Sequence, residues 1–301
     1  MIFFQDKSIV TFTARNANSV GAVLALDKLM ETTSTPHAAI FEIDLENATE
    51  LSFLDYSIVG IAIDPPGGTR LVLLDELGEV LILDDGNIEN ERIDLEEGPL
   101  RQLRLIDNTL FAVGTAGQVY RKDPGQPWKS FGPERLGPGN QATDIFSDID
   151  GFSADDLYVA ATNGAIWHWS GKNWSVINCH TNLAFLAIEC AEDGQVYACG
   201  QTGILARGRD LSFELITPDG ALSDLWGIQF FKGTLYCTSY RALLQLGENG
   251  LEPCMPAMDV GHTFYGLDQA EGVLWALGEK DVLRFDGEVW TSAQDLEWVM
   301  P

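Results

Sequence analysis

A period constrains this chain more than any other feature of it. Apolar strand starts at Leu71, Leu110, Leu157, Val196, Leu235 and Leu274 are separated by 39, 47, 39, 39 and 39 residues. The clearest copy, 157–177, reads LYVAATNGAIWHWSGKNWSVI. An apolar doublet opens a strand, a Gly-bearing turn follows, a second apolar run comes next, and a short polar turn leads into a Trp. A unit of this length with four short strands buries neither of its faces alone, so it folds only by stacking radially on its neighbours. The 47-residue step is one period with an insertion of 8 residues, which falls to the Pro/Gly-rich stretch 131–140 and to DIDGFSADD. A large residue recurs 16 to 18 residues after the last five of these strand starts, as Trp128, Trp174, Phe213, Leu251 and Trp290. That regularity assigns these five side chains to packing between units rather than to a ligand.

The expected fold is an all-β propeller forming a single domain over 1–301, with seven four-stranded blades. Six clear repeats fill 58–293, and 1–57 supplies an irregular first blade or closure. The alternative is six blades with an N-terminal embellishment. Within 1–57, residues 9–13 alternate as a strand, 40–43 and 49–54 suit third and fourth strands, and 19–30 (SVGAVLALDKLM) fits either a short helix or a buried strand.

Written as L-[YFW]-[VA]-x-G-x-x-G-x-[IVL]-x-R/H followed by D/S-G-x-x-W, the repeat resembles those of bacterial propeller proteins, including photosystem-assembly-type proteins. The resemblance spans 58–293 and implies blade packing, not an activity. Sialidase repeats do not fit: before Gly171 and Gly287 their Ser and Asp slots hold Trp167 with Trp169 and Leu283 with Phe285. The W-D dipeptide of WD repeats is absent, and the Gly pair of kelch repeats occurs once, at Gly67-Gly68.

Chemistry-bearing motifs are sparse. His37, His168, His180 and His262 stand in no zinc-binding spacing, although His180 and His262 fall in the same class of inter-blade loop. Asp148-x-Asp150-Gly151 lacks the glycine and glutamate positions of an EF-hand and reads as an Asp-rich hairpin turn. Neither catalytic residues nor a metal or other cofactor are expected. The five cysteines form no C-x-x-C pair, which suits reduced thiols in a cytosol. No signal peptide is read at the start of the chain, so the expected location is cytoplasmic.

Charge narrows the partner. With 18 Lys and Arg against 45 Asp and Glu the net charge is −27, which repels nucleic acid and anionic membrane and favours a basic protein. In a propeller, loops between second and third strands and loops between blades share one face. On that face the sequence places Asp75, Glu76, Glu134, Arg135, His180, Asp219, Asp224, Trp226, Tyr240, Arg241, His262 and Tyr265, together with Asn182, Glu279 and Asp281. Aromatic anchors beside carboxylates suit a non-catalytic protein-binding surface. One concrete form is an immunity protein that occludes a basic bacterial toxin. The alternatives are a sugar or lactone hydrolase or lyase with a metal in the central channel, and a structural subunit of a larger assembly.

Overall fold

The computed structural model of the chain describes residues 3–32, 36–134, 144–216, 223–254, 263–293 and 297–299. Each repeat forms one antiparallel sheet whose strands lie in chain order from the centre outward, giving seven blades. The inner strands are Lys7–Ala14, Ile58–Ile63, Leu100–Ile106, Phe146–Ser153, Phe185–Cys190, Leu225–Phe231 and Gly266–Ala270. Each packs against the next, and the seventh meets the first, so the ring closes around a channel. The second strands of blades 2 to 7 begin within one residue of the predicted starts, from Leu71–Asp75 to Val273–Leu277.

Burial explains the pattern of the repeats. A second strand has a neighbouring blade on each face, so Leu71–Asp75, Val196–Gly200 and Val273–Leu277 are buried throughout and read as unbroken apolar runs. Outer strands face water, and Asn87–Arg92 (NIENER) is exposed at all but one position. The apolar core is correspondingly divided into seven clusters, one per inter-blade seam. Trp128, Trp174, Phe213, Leu251 and Trp290 enter five successive seams, the packing role their spacing implied.

The described part of 1–57 supplies four strands of a first blade, which decides for seven. Its strands are Lys7–Ala14, Val20–Leu26, Ala38–Ile43 and Asn47–Leu54. The ambiguous 19–30 stretch is both things in succession: the buried strand Val20–Leu26, then the short helix Asp27–Thr32. Closure comes from the other terminus. Glu297–Val299 adds a parallel strand outside Asn47–Leu54, with the Glu297 amide donating to the Glu46 carbonyl at 2.8 Å. The seam between blades 7 and 1 buries Trp275 completely, and its indole Nε1 donates to the Asn16 carbonyl at 3.2 Å. Lys280 pairs with Asp27 across the same seam at 2.7 Å.

Candidate functional site

Because strands alternate in direction, the loops between second and third strands and the inter-blade loops gather at one end of the channel, here called the upper face. Arg135, Asp219 and His262 lie outside the described residues. The rest of the predicted set separates into three groups.

The first group is consumed by the fold. Asp75 is 4% exposed, and its carboxylate accepts from the Ser57 amide at 2.9 Å and the Leu77 amide at 2.7 Å. Asp224 accepts from the Thr202 amide at 2.8 Å, and Asp281 from the Thr263 amide at 2.8 Å. These carboxylates tie upper loops to one another, because amides that the strand ladder leaves open need an acceptor. The second group stands apart around the rim: Glu76 is half-buried, and Glu134, His180 and Asn182 are exposed.

The third group comes together. Tyr240 and Tyr265 lie with ring centroids 5.9 Å apart, the Arg241 guanidinium sits 5.6 Å from the Tyr240 centroid, and Tyr265 joins Trp226 in lining the channel mouth. Two glycines allow this. A Cβ on Gly227 would stand 3.0 Å from the Gly266 Cα, so the inner strands of blades 6 and 7 approach as only glycine permits. That approach brings the Tyr265 backbone against Gly227, and Trp226, just before Gly227, lines the same channel mouth. All three rings are exposed, Trp226 at 43%, Tyr240 at 42% and Tyr265 at 37%.

Below the mouth the channel holds a cavity of about 580 Å³ with a polar collar that sequence reading missed. Arg104 Nε and Nη2 each lie 3.1 Å from a carboxylate oxygen of Asp148. Asp148 also accepts from the Ile188 amide at 3.1 Å, and Asp150 from the Cys190 amide at 2.7 Å, both on the next blade. Glu189 accepts from Gln229 at 2.7 Å, and Asp268 from the Ala14 amide at 2.8 Å. The Asp148-x-Asp150-Gly151 motif is therefore not a hairpin turn. It lies within the inner strand Phe146–Ser153, and its carboxylates stitch blade 4 to blade 5.

Four carboxylates thus surround one guanidinium. Arg104 is held more firmly protonated by the adjacent Asp148 charge. Burial pushes Asp150 up to about 6, and it raises Asp268. Burial and the neighbouring Asp150 charge together lift Glu189 well above the usual carboxylate range. A signal for the collar was present. Arg104, Asp150, Glu189, Gln229 and Asp268 each stand six or seven residues before a second-strand start, polar residues in strands that are otherwise apolar.

The remaining histidines are bound locally: His37 accepts from the Leu26 amide at 2.9 Å, and buried His168 lies 2.9 Å from Asp156. Among the described residues, no group of three or more His, Cys, Asp and Glu side chains is placed to hold a metal ion. No helix among them is long and apolar enough to cross a membrane.

Over 245 residues, 79% of this chain and 80% of the relative, the sequence is 34% identical to the immune protein Tsi7 of Pseudomonas aeruginosa. This chain belongs to the Tsi7 immune-protein family. No protein-family profile matches it. Among solved structures, YCF48 bound to D1 peptide superposes with a TM-score of 0.69 at 15% identity, covering 94% of this chain and 93% of that one. The Staphylococcus aureus virginiamycin B lyase in its inactive form with quinupristin superposes at 0.65 and 12% identity, covering 78% and 83%. At such identities the shared property is the propeller fold, and a lyase and a peptide binder built on one scaffold carry no chemistry over to this chain.

Proposed function

We propose that this chain is an immunity protein that binds a bacterial toxin through its upper face and neutralises it by occlusion, without chemistry of its own. The observation that carries this reading is the 34% identity to an immune protein over four-fifths of the relative's length. The geometry is consistent with it. Tyr240 and Tyr265 form an exposed aromatic pair, and exposed Trp226 lines the same channel mouth as Tyr265, which are the residue types that anchor protein interfaces.

The toxin is basic in this reading, because a chain of charge −27 attracts a cationic partner and can speed its association toward roughly 10⁸ M⁻¹s⁻¹ at low salt. The attraction belongs to the whole molecule rather than to one face. Exposed Glu46, Asp84, Asp85, Glu192, Asp286 and Glu288 sit in or beside lower loops, while Asp55, Asp94 and Glu134 sit on the upper rim. The aromatic cluster therefore decides where the partner lands, and the diffuse charge decides how often it arrives. The protein acts in the cytoplasm, where it meets the toxin.

The test is co-expression with the product of the adjacent gene in the native host. The expected result is a stable complex, relief of that product's toxicity, and association that slows as salt rises from about 50 to about 500 mM. Failure to recover any partner would refute the immunity reading, whereas salt-independent association would refute only the basic-partner component.

A further inference from the structure

The outer strand of a propeller blade has one edge without a neighbour, and alternate residues along it hold their amides and carbonyls out to water. Blade 1 fills its edge with the strand Glu297–Val299 beside Asn47–Leu54. Blade 2 leaves the same geometry open. Asn87–Arg92 is the outermost strand of its sheet and pairs with Glu79–Asp84 over six consecutive residues without a bulge. The two-residue turn Asp85-Gly86, with φ of 46° and 77°, fixes that register. The Ile93 amide donates to the Gly78 carbonyl at 2.8 Å, so odd-numbered residues turn their backbone groups inward, and Ile88, Asn90 and Arg92 turn theirs outward. Other outer strands offer less. Lys129–Ser130 and Trp290–Ser292 are two and three residues long, and Gly250–Pro253 ends in a proline, which has no amide to donate. Trp174–Asn178 and Ser212–Ile216 carry one charge between them, Glu214.

Charge sets the blade 2 edge apart from those two. Residues 84–97 hold seven carboxylates against one cation, Arg92, a net charge of −6. Glu89 and Glu91 point toward blade 3, where Glu91 accepts from Lys122 Nζ at 2.7 Å and from the Trp128 indole at 3.1 Å. Glu89 lines the same groove, is exposed, and pairs with no cation among the described residues. On the opposite face Ile88 is 42% exposed, and Arg92 is taken by Glu79 of the neighbouring strand. Like charges directly opposite across a ladder are destabilising, so this edge repels a second copy of itself. A strand in which basic and apolar residues alternate is complementary to it. Its basic side chains fall on the Glu89 face and its apolar ones on the Ile88 face.

We infer that the outer edge of blade 2 is a second docking surface, which takes an extended segment of a basic partner, alternating Lys or Arg with apolar residues, as a fifth strand. Backbone pairing holds the segment, and the alternation selects it. The inference goes beyond the immunity reading and shares with it only the sign of the partner's charge, because the edge lies on the circumference, away from the aromatic residues of the upper face.

The test titrates full-length protein with a blocked octapeptide of alternating lysine and valine at about 150 mM salt. A version methylated on every backbone nitrogen keeps the charge but cannot donate to a strand edge. It should bind at least about 10-fold more weakly, the effect of losing two or three backbone hydrogen bonds. A peptide of the same composition with its lysines in one block should also bind more weakly. Equal affinity for either control would mean that the protein reads charge alone, and would overturn the inference. Glu89→Gln should weaken binding about 2- to 5-fold, and no change would count against the proposed face. Asn90→Pro removes an outward amide while sparing the inward ladder, so it should keep the fold and lose the peptide. Hydrogen exchange on the unmodified protein locates the site without any variant. Saturating peptide should slow exchange within 87–92, whereas no slowing there, or equal slowing on Ser212–Ile216, would discard the edge. Absence of peptide binding with toxin co-purification intact would remove the edge and keep the immunity function. Slowed exchange at 87–92 with no toxin recovered would do the reverse.

Discussion

Replacing Arg104 tests the channel collar most directly. Its guanidinium is the cation that faces Asp148, Asp150, Glu189 and Asp268, and its partner Asp148 is only 3% exposed. Removing one member of a buried ion pair costs about 3–5 kcal/mol, because the other charge is left without its partner. The Arg104 side chain is 32% exposed to channel water, which places the loss near the lower end, about 3 kcal/mol, or a fall in Tm of roughly 5 °C for a chain of this size. The Arg104→Leu variant should therefore melt well below the parent at neutral pH. The difference should shrink in acid. Arg104 holds down the pKa values of Asp150, Glu189 and Asp268, so without it these carboxylates take up protons at higher pH and the uncompensated charge disappears. Thermal melts of both proteins at pH 7.5 and pH 5.5 would measure this, with Arg104→Lys as a partial rescue. A loss below about 1 kcal/mol at pH 7.5, or one that does not diminish at pH 5.5, would refute the account of the collar.

The parent should itself be more stable near pH 5 than at pH 7.5. Asp150 titrates near 6 when folded and about 4 when unfolded, so the folded state binds more protons between those values, and stability falls as pH rises through them. Below about pH 4 the trend should reverse, because Asp27 and Asp123 are held low by Lys280 and by Lys129 with Arg121, and their stabilisation is lost on protonation. Calorimetric melts across pH 3.5 to 8 would show whether the maximum lies in that window. Deleting residues 297 onward should lower Tm by a few degrees, whereas Trp275→Ala should cost about 3–5 kcal/mol, since the strand covers an outer edge and Trp275 fills the blade 7 to blade 1 seam. Equal effects in urea titrations would contradict that ranking. Gly227→Val should destabilise by about 1–3 kcal/mol and weaken partner binding beyond that loss, because the new side chain would push the blade 6 inner strand away from Gly266 and separate Trp226 from Tyr265.

The repeat made the propeller legible because each blade meets the same problem and answers it with the same residues: a buried second strand, a turn glycine, and a large side chain for the seam. The first blade was harder to read, since its outer neighbour is the parallel strand Glu297–Val299 and its second-to-third connection contains a helix. The rim carboxylates were misread for a related reason. An Asp in a loop looks the same in sequence whether it faces water or accepts an amide, and Asp75, Asp224 and Asp281 accept amides.

What the chain determined by itself was therefore local and periodic: strand starts, turns, the packing slot, the net charge, and the expectation of a face that binds rather than reacts. What only the tertiary structure decided was adjacency across the ring. Arg104 and Asp148 are 44 residues apart and Asp148 and Ile188 are 40, yet both pairs touch. Tyr240 and Tyr265 meet although an entire inter-blade connection separates them. Such contacts arise because neighbouring blades twist against one another at a fixed radius, with bare glycine backbone where they approach most closely. Sequence order specifies which blade is next, but the distances between their side chains follow from how the blades pack.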